Sequence, residues 1–182
     1  AGVATMIEAA RHFARLGQRP RRSLIFMAVT GEERGLLGAD YFASHSTVPL
    51  KQIAGVVNLD MPLLLYDFSD VAALGGEHST VLATIAEASR SLGVKVSPDP
   101  KPEETLFIRS DHYRFVRYGV PSAFLMTGNA NGGKAAWDYY LTRVYHRPND
   151  DLRLPFNWGA AARFAELNYR IERSLADQPE RT

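Results

Sequence analysis

Apolar residues along the chain fall into two kinds of run. Residues 24–29, 53–61, 71–74 and 121–126 are unbroken or nearly unbroken, rich in branched and aromatic side chains, and short. Such runs read as strands covered on both faces, as in parallel sheets, with 71–74 a candidate edge strand. Between them, apolar residues recur every three or four positions. That spacing predicts helices over 5–16, with Met6, Ile7, Ala10 and Phe13 on one stripe, and over 36–44, with Leu37, Tyr41 and Phe42 turned inward. It predicts two more over 79–92, capped by Ser79 and stopped by Gly93, and over 157–176, where Trp158, Phe164 and Ile171 share the inward face. A short helix capped by Ser110 and ended by Gly119 precedes the last strand. Residues 97–104 and 127–143 read as loops, and the aromatic residues Trp137, Tyr139 and Tyr140 of the longer one suggest a substrate wall. Strands alternating with helices predict an α/β domain over residues 1–176, followed by a disordered tail over 177–182.

Composition narrows the setting. A chain of 182 residues with 46% hydrophobic and 23% charged residues supports one globular core, and a net charge of +1 without a long basic run gives nucleic acid no footprint. No apolar stretch approaches the ~20 residues of a membrane helix. With no cysteine in the sequence, any metal must be held by carboxylates and imidazoles.

The chemistry gathers at the ends of the predicted strands. Thr30-Gly31-Glu32-Glu33 places two adjacent carboxylates where a buried strand gives way to a helix, and Asp60 ends the next strand in the same way. Ligands of open α/β sheets bind at such carboxyl ends. The plainer readings are that the glutamates favour a helix N-terminus and that Asp60 is a turn residue. Ser110-Asp111-His112 cannot be a hydrolase triad, because adjacent residues do not orient one another in that way. Asp111 and His112 are candidates for orienting metal ligands or binding substrate, with a simple helix cap as the alternative. In Tyr145-His146-Arg147-Pro148-Asn149-Asp150, His146 is the candidate ligand and Asp150 an acid able to hold its other ring nitrogen.

These four motifs occur in the order and approximate spacing of the zinc-dependent aminopeptidases of clan MH, the bacterial leucyl aminopeptidase-like enzymes, which the chain resembles from residue 1 to about 164. The resemblance implies a three-layer α/β/α sandwich around a mixed, mostly parallel sheet. It implies Glu32 as the general base and acid, Glu33 and His146 as ligands of one zinc, Asp60 as a ligand of a second, and Tyr145 as a stabiliser of the tetrahedral intermediate. The partner it implies is a peptide substrate, cleaved at its N-terminus. The alternatives are a glutaminyl cyclase-like enzyme with a single zinc, and a non-catalytic relative of the same fold.

The family pattern also contains an upstream histidine and a metal-bridging aspartate that these residues do not supply. The chain therefore reads as the later part of a catalytic domain, incomplete on the N-terminal side of its sheet. It is expected to bind zinc weakly, to have little activity by itself, and to self-associate through an exposed sheet edge. Export from the cell is the favoured location, since many proteins of this pattern are exported.

Overall fold

A computed structural model of the chain describes residues 1–15 and 17–179. Six helices are placed: α1 (Gly2–Arg15), α2 (Leu37–Ser44), α3 (Val81–Ser91), α4 (His112–Arg117), α5 (Gly133–Arg143) and α6 (Trp158–Asp177). Four strands, β1 (Val56–Asn58), β2 (Asp70–Leu74), β3 (Lys95–Val96) and β4 (Ser122–Thr127), form one sheet in the order β1-β4-β2-β3. β1 runs parallel to β4, with Val57 opposite Ala123, and β3 runs parallel to β2. β2 and β4 are antiparallel, with Ala72 opposite Met126. The sheet is mixed and carries helices on both sides, as an α/β sandwich requires.

Alternation along β1 shows how the two faces are covered. Val57 joins the main core, where Phe124, Leu125, Phe164, Leu167 and Ile171 are fully buried. Its neighbour Val56 joins a smaller cluster built on Ala39 and Ala43 of α2 and on Phe115 of α4. α6 is the spine of the first layer: α1 and α3 both pack against it, and its start is capped by Asn157, whose side chain accepts from the Ala160 N–H at 2.9 Å.

Several expectations are corrected. Residues 24–29 carry no regular structure and are paired with no strand among the described residues; Ile25 is 53% and Phe26 38% exposed. Only Met27 and Val29 reach the small cluster. An apolar run becomes a strand only when a neighbour supplies its hydrogen bonds. Segment 71–74 is no edge, since β2 is flanked by β4 and β3 and buried throughout. In α2 the alanines face inward, and Leu37 and Tyr41 are 57% and 67% exposed. In α1 the buried residues are Gly2, Thr5 and Ala9 rather than the stripe through Ile7; Leu16 lies outside the described residues. Trp158 is 70% exposed at the start of α6.

The supposed loop 127–143 contains α5, and Trp137 is fully buried with its indole N–H donated to the Thr127 carbonyl at 3.0 Å. Trp137 is therefore a core residue and not part of a substrate wall. The start of the tail is also fastened: Gln178 donates to the Thr84 hydroxyl at 2.8 Å and its carbonyl accepts from Arg22 at 2.6 Å. Residues 180–182 of the expected disordered tail lie outside the described residues.

Candidate active site

The turn that presents the two glutamates depends on glycine at two points. Gly31 has φ 71°, in the left-handed region that only glycine adopts freely. The N–H of Gly38 meets the Thr30 carbonyl at 2.8 Å, and a Cβ at Gly38 would stand 2.5 Å from that same oxygen. Between them Glu32–Arg34 forms a single 3-10 turn. Arg114 of α4 holds it from below, donating to the Gly35 carbonyl at 2.9 Å and facing Asp40 at 3.5 Å.

Asp60 lies two residues beyond β1. Its Oδ2 accepts from the Ser110 hydroxyl at 2.8 Å, and the Ser110 oxygen accepts in turn from the Asn58 amide at 2.6 Å. Ser110 is buried and is not the helix cap the sequence suggested; Asp111 occupies that position without a side-chain cap bond. The relay joins residues 50 positions apart, and no local pattern announces it.

From the far side comes the segment after α5. His146 Nε2 lies 2.6 Å from Glu33 Oε1, bridging 113 residues of sequence. The Tyr145 ring stacks on the His146 ring with centroids 3.8 Å apart. Asp150 does not hold the histidine as expected: its Oδ2 accepts from the Tyr140 hydroxyl at 2.9 Å.

Electrostatics tie these pieces together. Burial, then the charges of Asp60, Glu33 and Asp111, push the Glu32 carboxyl up to about 7, against the opposing pull of Arg109. Asp111, with one carboxylate oxygen buried and unpartnered, is pushed up to about 6 by burial and by Asp60. The Tyr145 phenol is raised, chiefly by burial and next by Glu33, so its proton is retained at neutral pH. Arg109 reaches the same field; nothing in its sequence context but proximity to Ser110 marked it out.

His112 is placed elsewhere. Its ring is fully buried between Phe107 and Phe124, at centroid distances of 5.4 and 5.6 Å, and burial lowers it to about 4. Both ring nitrogens are buried without a hydrogen-bond partner, so the aromatic packing accounts for where the ring lies and leaves its two polar atoms unsatisfied.

Whether the donors suit zinc can be judged from the residues present. Carboxylate oxygen and imidazole nitrogen are its ordinary ligands. The Glu33–His146 pair, in contact at 2.6 Å, brings one donor of each kind together. Among the described residues no three of His, Asp and Glu are grouped closely enough to hold a metal by themselves. In kind the donors fit, and in number they make up part of a site.

Comparison with known proteins gives a consistent answer. The model of peptidase family M28 matches residues 1–171. A probable zinc metalloprotease of Phaeosphaeria nodorum is 43% identical over 60 residues, 33% of this chain and 12% of that protein. One of Pyrenophora tritici-repentis is 42% identical over 60 residues, 13% of its length. Among solved structures, an aminopeptidase from Aneurinibacillus superposes with a TM-score of 0.71 at 24% identity, covering 98% of this chain and 39% of that one. A zinc aminopeptidase from Bacillus subtilis gives 0.74 at 21% identity, with 98% and 41% covered. The chain thus spans about two fifths of the length of these structures, which share its fold.

Proposed function

Because the chain belongs to peptidase family M28, we propose that it carries part of the catalytic centre of a zinc aminopeptidase that removes N-terminal residues from peptides. The observation behind this reading is convergence. Glu32 and Glu33 from the 3-10 turn after segment 24–29 and Asp60 from the turn after β1 share one acidic field, and His146 from the segment after α5 meets Glu33, although 113 residues separate the two.

Glu33 and His146 would hold one zinc and Asp60 a second; the further histidine and bridging aspartate of the family pattern have no counterpart in these 182 residues, so binding here is weak. Zinc, when bound, supplies a Lewis acid that makes water a nucleophile near neutral pH and neutralises developing negative charge. Glu32, beside these ligands and not counted among them, would take a proton from the attacking water and pass it to the leaving amine. Tyr145, protonated at working pH, donates its hydroxyl to the oxygen of the carbonyl under attack. Ser110 and Asn58 fix the rotation of the Asp60 carboxylate.

The test is the zinc affinity of the purified chain by chelator competition, beside its His146→Ala variant, followed by assay in excess zinc on an aminoacyl chromogenic amide and on an N-terminal glutaminyl peptide. Weak zinc binding that is weaker still without His146, and slow release of the chromophore that Glu32→Gln abolishes, support the reading; cyclisation of the glutaminyl peptide, or zinc affinity indifferent to His146, overturns it. A second copy of the chain is proposed as a further partner, pairing along the open segment 24–29.

A further inference from the structure

His146 is held in an unfavourable place by means other than burial. It has φ 56°, a left-handed backbone conformation that costs a non-glycine residue roughly 1–2 kcal/mol. Its side chain is about half exposed, and that of Glu33 opposite it about two thirds. An exposed imidazole on a strained backbone does not by itself stay within 2.6 Å of a carboxylate 113 residues away. Some other contact must select this geometry.

The segment after α5 closes on Tyr140. The Tyr140 carbonyl accepts from both the Val144 and Tyr145 N–H groups at 2.9 Å. Two reverse turns follow, Arg147 N–H to the Val144 carbonyl and Asp150 N–H to the Arg147 carbonyl, each at 3.0 Å, while the Asn149 side chain returns to the Arg143 carbonyl at 3.1 Å. The circuit ends where it began, because the Tyr140 hydroxyl donates to Asp150 Oδ2 at 2.9 Å. His146 sits at the middle of this closed circuit, with Tyr145 stacked on its ring and the Tyr140 ring 6.0 Å from that of Tyr145.

We propose that Tyr140 and Asp150 form a clasp that positions His146 and Tyr145 toward Glu33, making both positioning residues for the proposed catalytic centre. The inference rests on that reading for its catalytic meaning, but its structural content is independent of metal. Asp150 acts on the histidine through the tyrosine hydroxyl and the turn, instead of through the imidazole itself. Burial and the adjacent Asp150 carboxylate both raise the Tyr140 phenol, so the donor keeps its proton throughout the pH range in which a peptidase works. The bond joins residues ten positions apart and is the only side chain to side chain bond described within the circuit.

The experiment reads the Glu33–His146 contact directly in the metal-free chain. Imidazole nitrogen signals of His146 are recorded by NMR at one fixed pH, with and without Glu33→Gln, in the parent and in Tyr140→Phe, Asp150→Ala and Asp150→Asn. In the parent the Glu33 change is expected to shift the His146 signals. In Tyr140→Phe and Asp150→Ala that response should fall below half, and in Asp150→Asn, which keeps an acceptor oxygen, most of it should remain. Melting midpoints should stay within a degree or two, since the clasp lies at the surface.

Zinc affinity by chelator competition is the second readout, with Tyr140→Phe about tenfold weaker than the parent. An undiminished response in Tyr140→Phe overturns the clasp, and so does a parent whose His146 ignores Glu33. Absence of zinc binding in every form would instead count against the proposed function, leaving the NMR result to decide the clasp.

Discussion

Ser110 and Asp60 meet side chain to side chain at 2.8 Å across 50 residues, and Asn58 completes the chain by donating to the same serine oxygen at 2.6 Å. A buried hydroxyl that accepts from one group and donates to another fixes the rotation of the carboxylate at its end. Removing the hydroxyl takes a partner from the half-buried Asn58 amide and from the exposed Asp60 carboxylate, both of which can turn to water, so the cost in stability is small. Ser110→Ala is expected to leave the denaturant midpoint nearly unchanged and to weaken zinc binding about tenfold, as loss of an outer contact to a ligand does. Unchanged zinc affinity in chelator competition would show that Asp60 keeps its orientation without help.

Glu32 offers a cleaner separation of chemistry from structure. Its carboxyl is raised to about 7, first by burial and then by Asp60, Glu33 and Asp111. A carboxyl raised in the folded state binds its proton more tightly there than in the unfolded chain. The metal-free protein thus loses stability as pH rises from about 4.5 to about 7, and the loss is complete above that window. Glu32→Gln cannot ionise, so it should flatten this part of the metal-free melting curve and leave zinc content unchanged. In a zinc-loaded protein it should abolish turnover of the chromogenic amide, because the amide side chain accepts no proton.

How much of this was legible in the sequence depends on the range of the interaction. Gly31-Glu32-Glu33 at a strand end, Asp60 after β1 and the Tyr145-His146 pair are local patterns, and they led to the right region of the fold. The Ser110–Asp60 bond and the Tyr140–Asp150 bond are not encoded locally, so a serine read as a cap and a tyrosine read as a loop aromatic gave no sign of the partners the structure shows. α5 was missed because Gly132 and Gly133 mark its start and few of its residues are apolar; yet Trp137, Tyr140, Leu141 and Val144 stand at helical spacing. Trp137 looked like surface recognition because a tryptophan carries a polar N–H, and the Thr127 carbonyl that satisfies it lies inside the core. Residues 24–29 failed for the opposite reason, since a local pattern predicts a strand while pairing needs a neighbour.

Glu172 of α6 predicts a pH effect far from the site. One of its carboxylate oxygens is buried without a partner, and burial alone pushes the group up to about 8. The sign matches that of Glu32: stability falls as pH rises through 4.5 to 8, by an amount on the order of a few kcal/mol. Glu172→Gln keeps the shape and removes the charge. It should melt higher than the parent at pH 9 and equally at pH 4.5, in scanning calorimetry of the metal-free chain. A parent and variant that run in parallel across this range would mean that the carboxylate is hydrated in solution.

The open segment makes the last prediction. Residues 24–29 carry no regular structure, with Ile25 and Phe26 exposed. An apolar segment of strand-forming sequence paired with no strand among the described residues is a template for another chain. Within the segment's own sequence, Arg19, Arg21 and Arg22 precede the apolar run and Glu32 and Glu33 follow it. Two copies pairing antiparallel would therefore set the basic end of each against the acidic end of the other. Light scattering behind size exclusion should find the chain self-associating at micromolar concentration, more strongly at low salt than at high. Ile25→Lys places a charge at the more exposed of the two positions, as native edges do to prevent such pairing; it should return the chain to a monomer with little change in its melting midpoint. A parent that is monomeric at every concentration and ionic strength would mean that the segment is protected by its own twist or by its flanking charges.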